Sequence, residues 1–245
     1  MTGELRIGCS GWNYRHWRGV LYPEGLSAPH WLARYAEVFD TVEVNATFYR
    51  LPTEHVTGVW AAQVPAGFRF AVKGSRYLTH VRRLRDPAVP LARLTEALAP
   101  LRESGRLGPL LWQLPEDFHR DDRRLQGLLA VLPAGRHALE FRHPSWFDDA
   151  VLGLLAEHGV ALVWGDHPER PFQRLERTTD FTYVRLHCGA RGHRGNYGER
   201  ELRAWAARLT AARGTGDVYA YCNNDQEGFA VHNAQRLLAL TGAHA

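Results

Sequence analysis

Eight short apolar segments, each closed by a polar turn and most followed by a stretch of helical periodicity, limit this chain to very few folds. They fall at residues 5–8, 41–44, 69–72, 110–114, 137–141, 161–164, 182–186 and 218–221. Strands that alternate with helices pair in parallel, because only a crossover brings the chain back in the same direction. Eight such units in 245 residues predict an α/β fold of the TIM (β/α)8-barrel type, as one domain over residues 1–245. The first turn, Gly8-Cys9-Ser10-Gly11, lacks the GxGxxG of a dinucleotide-binding open sheet.

The helices are legible from their punctuation. Pro29 opens one with the stripe Trp31, Leu32, Tyr35, Val38 and Phe39. Thr53 suits the N-cap of a second, running through Gln63. Others are predicted at 90–103, 121–132, 148–158 (stopped by Gly159), 199–213 and 228–240. Residues 166–180 carry Pro168 and Pro171 and no clean stripe, so the helix after the sixth strand is expected to be degraded or missing.

A period of two sorts each strand into faces. Glu43 and Asn45 share one face. So do Ala71 and Lys73, Leu111 and Gln113, Glu140 and Arg142, Trp164 and Asp166, Arg185 and His187, and Tyr221 and Asn223. The opposite face is apolar: Val42, Val44, Val72, Leu139, Phe141, Leu162 or Val163, Val184 and Leu186. A barrel packs its outer face on the helix ring, so the polar set is expected to point inward, at the carboxyl ends of the strands where barrel enzymes hold their sites. Glu43, Glu140 and Asp166 there face Lys73, Arg142 and Arg185. A purely structural ion network is the bland alternative, and a costly one, since burial of an ion costs several kcal/mol that pairing at best returns. The convergence is therefore read as a site.

Glu43, Lys73, Glu140, Arg142 and His187 are the catalytic candidates. Ser10, Trp12, Asn45, Tyr49, Gln113, His143, Trp146, Asp166, Arg185, Arg194, Tyr197, Asn223, Asn224 and Asp225 follow strand ends and are candidate substrate contacts. Lys73 stands out because the other 29 of the 30 basic residues are arginine. An amine is what arginine cannot replace, being able to lose its proton or act as a nucleophile. Ser145 and Cys188 lack a base partner and are taken as structural.

The loop Arg191-Gly192-His193-Arg194-Gly195 offers amides and arginines to a phosphate, although Asp225 and Glu227 would oppose one. Glu43, Glu140, Asp166 and His187 could hold a divalent metal, against three cations in the same pocket. No metal or cofactor is predicted on balance. Glu43 and Glu140 also invite a glycosidase reading, with one carboxyl as acid and the other as base.

These residues make the chain similar to a known family. Ile7-Gly8-Cys9-Ser10-Gly11-Trp12 with Tyr22-Pro23, Val42-Glu43-Val44-Asn45 with Phe48-Tyr49, and Phe70-Ala71-Val72-Lys73 resemble the YecE-like family, domain of unknown function 72. So do Leu111-Trp112-Gln113-Leu114-Pro115, Glu140-Phe141-Arg142-His143-Pro144-Ser145-Trp146, Tyr183-Val184-Arg185-Leu186-His187 and Asn223-Asn224-Asp225. The resemblance runs nearly end to end and implies a TIM barrel with no assigned reaction. Cys188, where the family usually has glycine, and Cys222, where it commonly has an aromatic, depart from the pattern without removing a charged candidate.

The functional expectation is an enzyme of hydrolase or lyase/isomerase type, acting on a small polar or anionic ligand (phosphate or carboxylate). The alternatives are a nucleic-acid-associated protein (a metal-dependent nuclease or a binder) and a non-catalytic metabolite-binding protein. A net charge of +4 permits nucleic acid, but no Lys/Arg run favours it. No apolar run suits a membrane span, no signal peptide is seen, and the three cysteines are scattered, so a cytoplasmic location with reduced thiols is expected. Oligomeric state is not legible.

Overall fold

A computed structural model of the protein describes residues 2–188 and 195–243. Its strands are β1 (Leu5–Cys9), β2 (Thr41–Val44), β3 (Arg69–Lys73), β4 (Leu107–Gln113), β5 (His137–Glu140), β6 (Val160–Gly165), β7 (Phe181–Leu186) and β8 (Asp217–Cys222). Among the described residues the helices are α1 (Trp31–Ala36), α2 (Ala46–Tyr49), α3 (Glu54–Ala62), α4 (Ala88–Ala97), α5 (Ala99–Glu103), α6 (Asp122–Leu129), α7 (Asp149–Glu157), α8 (Glu199–Arg213) and α9 (Phe229–Thr241). The strands pair in parallel in the order β1-β8-β7-β6-β5-β4-β3-β2, the arrangement of a TIM-type barrel.

Each predicted strand is present. The predicted helix at 90–103 is divided at Leu98 into α4 and α5, because Pro100 cannot donate back to Glu96 and sits instead in the first turn of α5. No helix forms between β6 and β7, as the prolines there implied. Thr53, Asp121 and Asp148 accept hydrogen bonds from the first turns of α3, α6 and α7. No helix among the described residues is long and apolar enough to cross a membrane.

The barrel closes at a seam. β1 and β2 meet only in one bridge, Ser10 to Glu43. Below it the fully buried Tyr35 of α1 takes the place of a ladder bond: its hydroxyl accepts from the Cys9 amide at 2.8 Å and donates to the Thr41 carbonyl at 2.9 Å. Gly8 permits this approach, since a Cβ there would overlap the Thr41 carbonyl.

Inside the barrel, Ala71, Leu111, Ala138, Ala161, Val163, Phe181, Tyr183, Tyr219 and Tyr221 fill the middle and lower layers. The outward residues join the much larger core between barrel and helices. One face assignment differs from expectation. Val163 pairs with Tyr183 and Gly165 with Arg185, so β6 points Val163 and Gly165 inward and turns Trp164 outward. The Trp164 indole donates to the Glu176 carbonyl at 2.8 Å.

Candidate active site at the barrel mouth

Every strand delivers a polar side chain to the carboxyl-end mouth or its rim. β1 ends in Ser10, β2 in Glu43 and Asn45, and β3 in Lys73. β4 brings Gln113 and β5 brings Glu140 and Arg142. Asp166 follows β6, Arg185 and His187 end β7, and Asn223 ends β8. Gly74 fixes the chain just after Lys73: a Cβ there would collide with the Trp112 ring.

The centre is a buried chain of charges. Arg185 is 1 % exposed. Its Nε lies 2.9 Å from Glu43 Oε2 and its Nη2 2.8 Å from Glu43 Oε1, while Nη1 reaches Glu140 Oε2. Glu43 also accepts from the Ser10 hydroxyl and, at 2.7 Å, from the Tyr183 hydroxyl. Both of its oxygens are thereby filled by protein donors. Glu140 Oε1 accepts from Arg142 Nε at 2.9 Å. Burial works to raise both carboxyls, but Arg185, with Ser10 at Glu43 and Arg142 at Glu140, more than offsets it, so both lie below the usual carboxylate range. A glycosidase acid needs a raised carboxyl. Both carboxyls of this pair lie low and share one guanidinium, an arrangement that does not favour that reading.

Other groups in the mouth keep hydrogen-bond capacity to spare. Lys73 Nζ sits 4.2 Å above the Phe48 ring, with no hydrogen bond or ion pair among the described residues. Burial and the nearby Arg185 bring its pKa down to about 8, against the pull of Glu43 and Glu140. Gln113, 5 % exposed, makes no side-chain hydrogen bond among the described residues. The terminal nitrogens of Arg142 make no hydrogen bond among the described residues, and Nη1 lies in ion-pair range of Glu116 at 3.8 Å.

His187 Nδ1 is 3.0 Å from Asn223 Nδ2, which donates to it, so the ring proton lies on Nε2. That nitrogen is 3.3 Å from Glu140 Oε1, outside hydrogen-bond alignment, and is buried without a partner. Burial holds this imidazole neutral, at about 4. Asp166 is raised to about 6 by burial, although Tyr197 and the His187 amide donate to it.

Several expected contacts are placed elsewhere. Trp146 is fully buried outside the barrel, stacked on Phe141, its indole donating to the Phe118 carbonyl at 2.6 Å. Asp225 is held by Trp17 Nε1 at 2.8 Å and His16 at 2.9 Å, tying down the loop after β1. Asn224 donates to the Gly195 carbonyl at 2.8 Å, and the Tyr197 hydroxyl is committed to Asp166 and the Cys188 amide. These contacts tie the four side chains to their loops; Tyr197 also lines the cleft beside Asp166, and the Asn224 Oδ1 is buried without a partner among the described residues. His143 lies towards the outer rim, its ring centroid 3.8 Å from that of His119 and its Nδ1 bonded to Ser145. Arg194 and the rest of the stretch Arg191-Gly192-His193 lie outside the described residues.

Trp12, Tyr49 and Asn45 line a cleft of about 670 Å³ beside the seam, shared with Tyr14, Leu32 and Trp60. Asn45 joins this cleft to the charge chain, donating to Ser10 Oγ at 2.6 Å. A second cleft of about 930 Å³ flanks the opposite side, between Asp166 and α8. Among the described residues no group of three His, Cys, Asp or Glu side chains is placed to hold a metal ion.

His80 was not anticipated from the sequence. It lies on a π-helical turn, Tyr77–Val81, directly after β3, and its ring packs edge-on to Phe48 at 4.9 Å. Single π-turns concentrate at functional sites.

A parallel eight-stranded barrel with one polar mouth at its carboxyl ends defines the class: a TIM-type barrel, single-domain, with its candidate site where such barrels place theirs. The family model described as "Protein of unknown function DUF72" matches residues 6–245, and the chain belongs to that family. A crystal structure of a DUF72 family protein from Thermotoga maritima MSB8 superposes with a TM-score of 0.87 at 30 % identity, covering 98 % of this chain and 99 % of that one. A DUF72 family protein from Enterococcus faecalis V583 gives 0.84 at 20 % identity, covering 98 % and 96 %. The UPF0759 protein YunF of Bacillus subtilis (strain 168) is 26 % identical over 271 residues, covering 96 % of this chain and 94 % of its own.

Proposed function

We propose that the barrel mouth is the active site of an enzyme that acts by acid–base chemistry on a small polar substrate carrying an anionic group. Lys73 is its reactive amine. The observation that carries this reading is the division of labour among the charges. Glu43, Arg185, Glu140 and Arg142 satisfy one another and form a rigid floor. Lys73 stands beside them unpaired, with its pKa brought down to about 8. A lone amine poised near neutrality can give up and take back a proton at physiological pH, or add to a carbonyl carbon.

Groups around it with hydrogen-bond capacity to spare are donors: the Gln113 amide, the Arg142 terminal nitrogens, 3.8 Å from Glu116, and the His187 Nε2–H, 3.3 Å from Glu140. Donors of this kind suit a carboxylate, phosphate or developing oxyanion. The floor fixes them, because Arg185 holds Glu140, and Glu140 in turn holds Arg142 and faces His187.

The test is thermal stability of wild type and Lys73→Met across small carboxylates, inorganic phosphate, sugar phosphates and short oligonucleotides, with product analysis for any compound that binds. A ligand at about a hundred times its Kd adds about 2.7 kcal/mol. Stabilisation by one anionic class, reduced in Lys73→Met and accompanied by turnover, is the expected result. Binding without turnover would make the protein a metabolite binder. Stabilisation by oligonucleotides alone would overturn the reading in favour of nucleic acid.

A further inference from the structure

We infer that His80 is the base of this site, packed together with the Lys73 ammonium against the Phe48 ring. The inference rests on the reading of Lys73 given above and extends it to a second residue. Both groups pack on one aromatic side chain: Lys73 Nζ lies 4.2 Å over the Phe48 face, and the His80 ring meets Phe48 edge-on at 4.9 Å. Thr47, beside Phe48 in α2, donates to the Lys73 carbonyl at 2.7 Å, so α2 is fastened to the end of β3. The separation of the two groups is therefore set by rigid elements.

The hydrogen bonds favour one tautomer. The Thr79 hydroxyl donates back to the Ser75 carbonyl at 3.3 Å, in the manner of a helical threonine. With the hydroxyl's one proton on that carbonyl, the ring is the donor at the 2.9 Å contact between His80 Nδ1 and the Thr79 hydroxyl. The Nε2 lone pair is left as an acceptor with no partner among the described residues. Two neutral imidazoles thus serve the mouth in opposite senses: His187 presents an N–H, and His80 presents a lone pair.

The charges around His80 add a dependence on substrate. Burial first, then the positive Lys73, Arg142 and Arg76, bring its pKa down to about 4, with Asp117 opposing. An anion bound against Lys73 and Arg142 offsets that repulsion and raises the imidazole towards its ordinary range. The base then gains strength only when substrate is present.

The experiment follows the His80 ring by NMR, its resonance assigned by loss in His80→Gln, in wild type and in Lys73→Met. The ring should titrate below 5 in wild type and rise by about a unit or more in Lys73→Met. A wild-type ring titrating near 6.5, or one unmoved by Lys73→Met, would overturn the coupling. The chemical role is read separately with pyridoxal 5′-phosphate, an anionic aldehyde, and borohydride. In that reaction the free amine adds to the aldehyde carbon and the carbinolamine takes up a proton and loses water. Hydride then reduces the C=N bond, leaving a secondary amine.

His80→Gln should trap Lys73 about tenfold or more slowly and alter the pH–rate profile, with added imidazole restoring part of the rate. Trapping at the wild-type rate with an unchanged pH profile would defeat the assignment of His80. Absence of trapping even in wild type would count against the Lys73 reading instead, and the NMR comparison would still decide the place of His80.

Discussion

Arg185→Met removes the one group that ties Glu43 to Glu140. In the native barrel its guanidinium makes a two-pronged contact with Glu43 at 2.8 and 2.9 Å and a further bond to Glu140 Oε2, with all three side chains 1 % exposed or less. Methionine fills similar volume, so the cost is electrostatic rather than a cavity. Breaking a buried ion pair by removal of one partner costs about 3–5 kcal/mol, because the remaining charge is uncompensated. Here two carboxylates lose their cation, Ser10 and Tyr183 still stabilise Glu43, and Arg142 still stabilises Glu140.

The loss at pH 8 is therefore placed at about 4 kcal/mol, which for a domain of this size is a fall in Tm of roughly 8–16 °C. The sign with pH follows from which state binds the proton. A buried carboxyl without its cation has a folded pKa above its unfolded one, so stability is recovered as pH falls and lost as pH rises through the folded value. Urea denaturation of wild type and Arg185→Met at pH 5.5 and 8 measures this directly. A variant within about 1 kcal/mol of wild type at both pH values would refute the reasoning that the charge chain is a structural floor.

Lys73→Met should behave in the opposite way. The amine is lowered from 10.5 to about 8, so holding it charged at neutral pH opposes folding by up to about 3 kcal/mol, and urea denaturation at pH 7 should find the variant as stable as wild type or more so. His187→Asn tests acid sensitivity. The wild-type imidazole, lowered from 6.5 to about 4, takes its proton only when unfolded across that window, so stability falls as pH drops from about 6.5 to 4. Asp166, raised to about 6, pulls the other way between about 6 and 4, and the variant should show a flatter or inverted slope in calorimetry. Tyr35→Phe leaves the Cys9 amide and the Thr41 carbonyl unpaired at the barrel seam and should cost about 2–4 kcal/mol by denaturation, with hydrogen exchange of the Cys9 amide accelerated.

Much of this site follows from a period of two in short strands. Glu43, Lys73, Gln113, Glu140, Arg185, His187 and Asn223 share the mouth because each lies two residues from an inward neighbour or continues that face past the strand end. The same rule misleads at β6, where Gly165 is the inward residue and carries no side chain to mark the face, so alternation alone points to Trp164. Trp146 and Asp225 stand just after strands and are chemically apt, yet Phe118, Trp17 and His16 take up their polar atoms. Nothing local in the sequence encodes those partners. His80 was invisible because its position depends on a π-turn rather than on strand or helix periodicity. Which charges pair and which stay free depends on side-chain directions across the barrel, and spacing along one strand does not carry that information.

The chain's single lysine allows a direct measurement. Protein labelled with carbon-13 at the lysine ε-carbon gives one side-chain resonance, and its shift against pH reports the Lys73 amine alone. A midpoint near 8, moving upward in the presence of a bound anion, is the expected result. A midpoint near the ordinary 10.5 would contradict the claim that Lys73 is a poised, unpaired amine at the centre of the site.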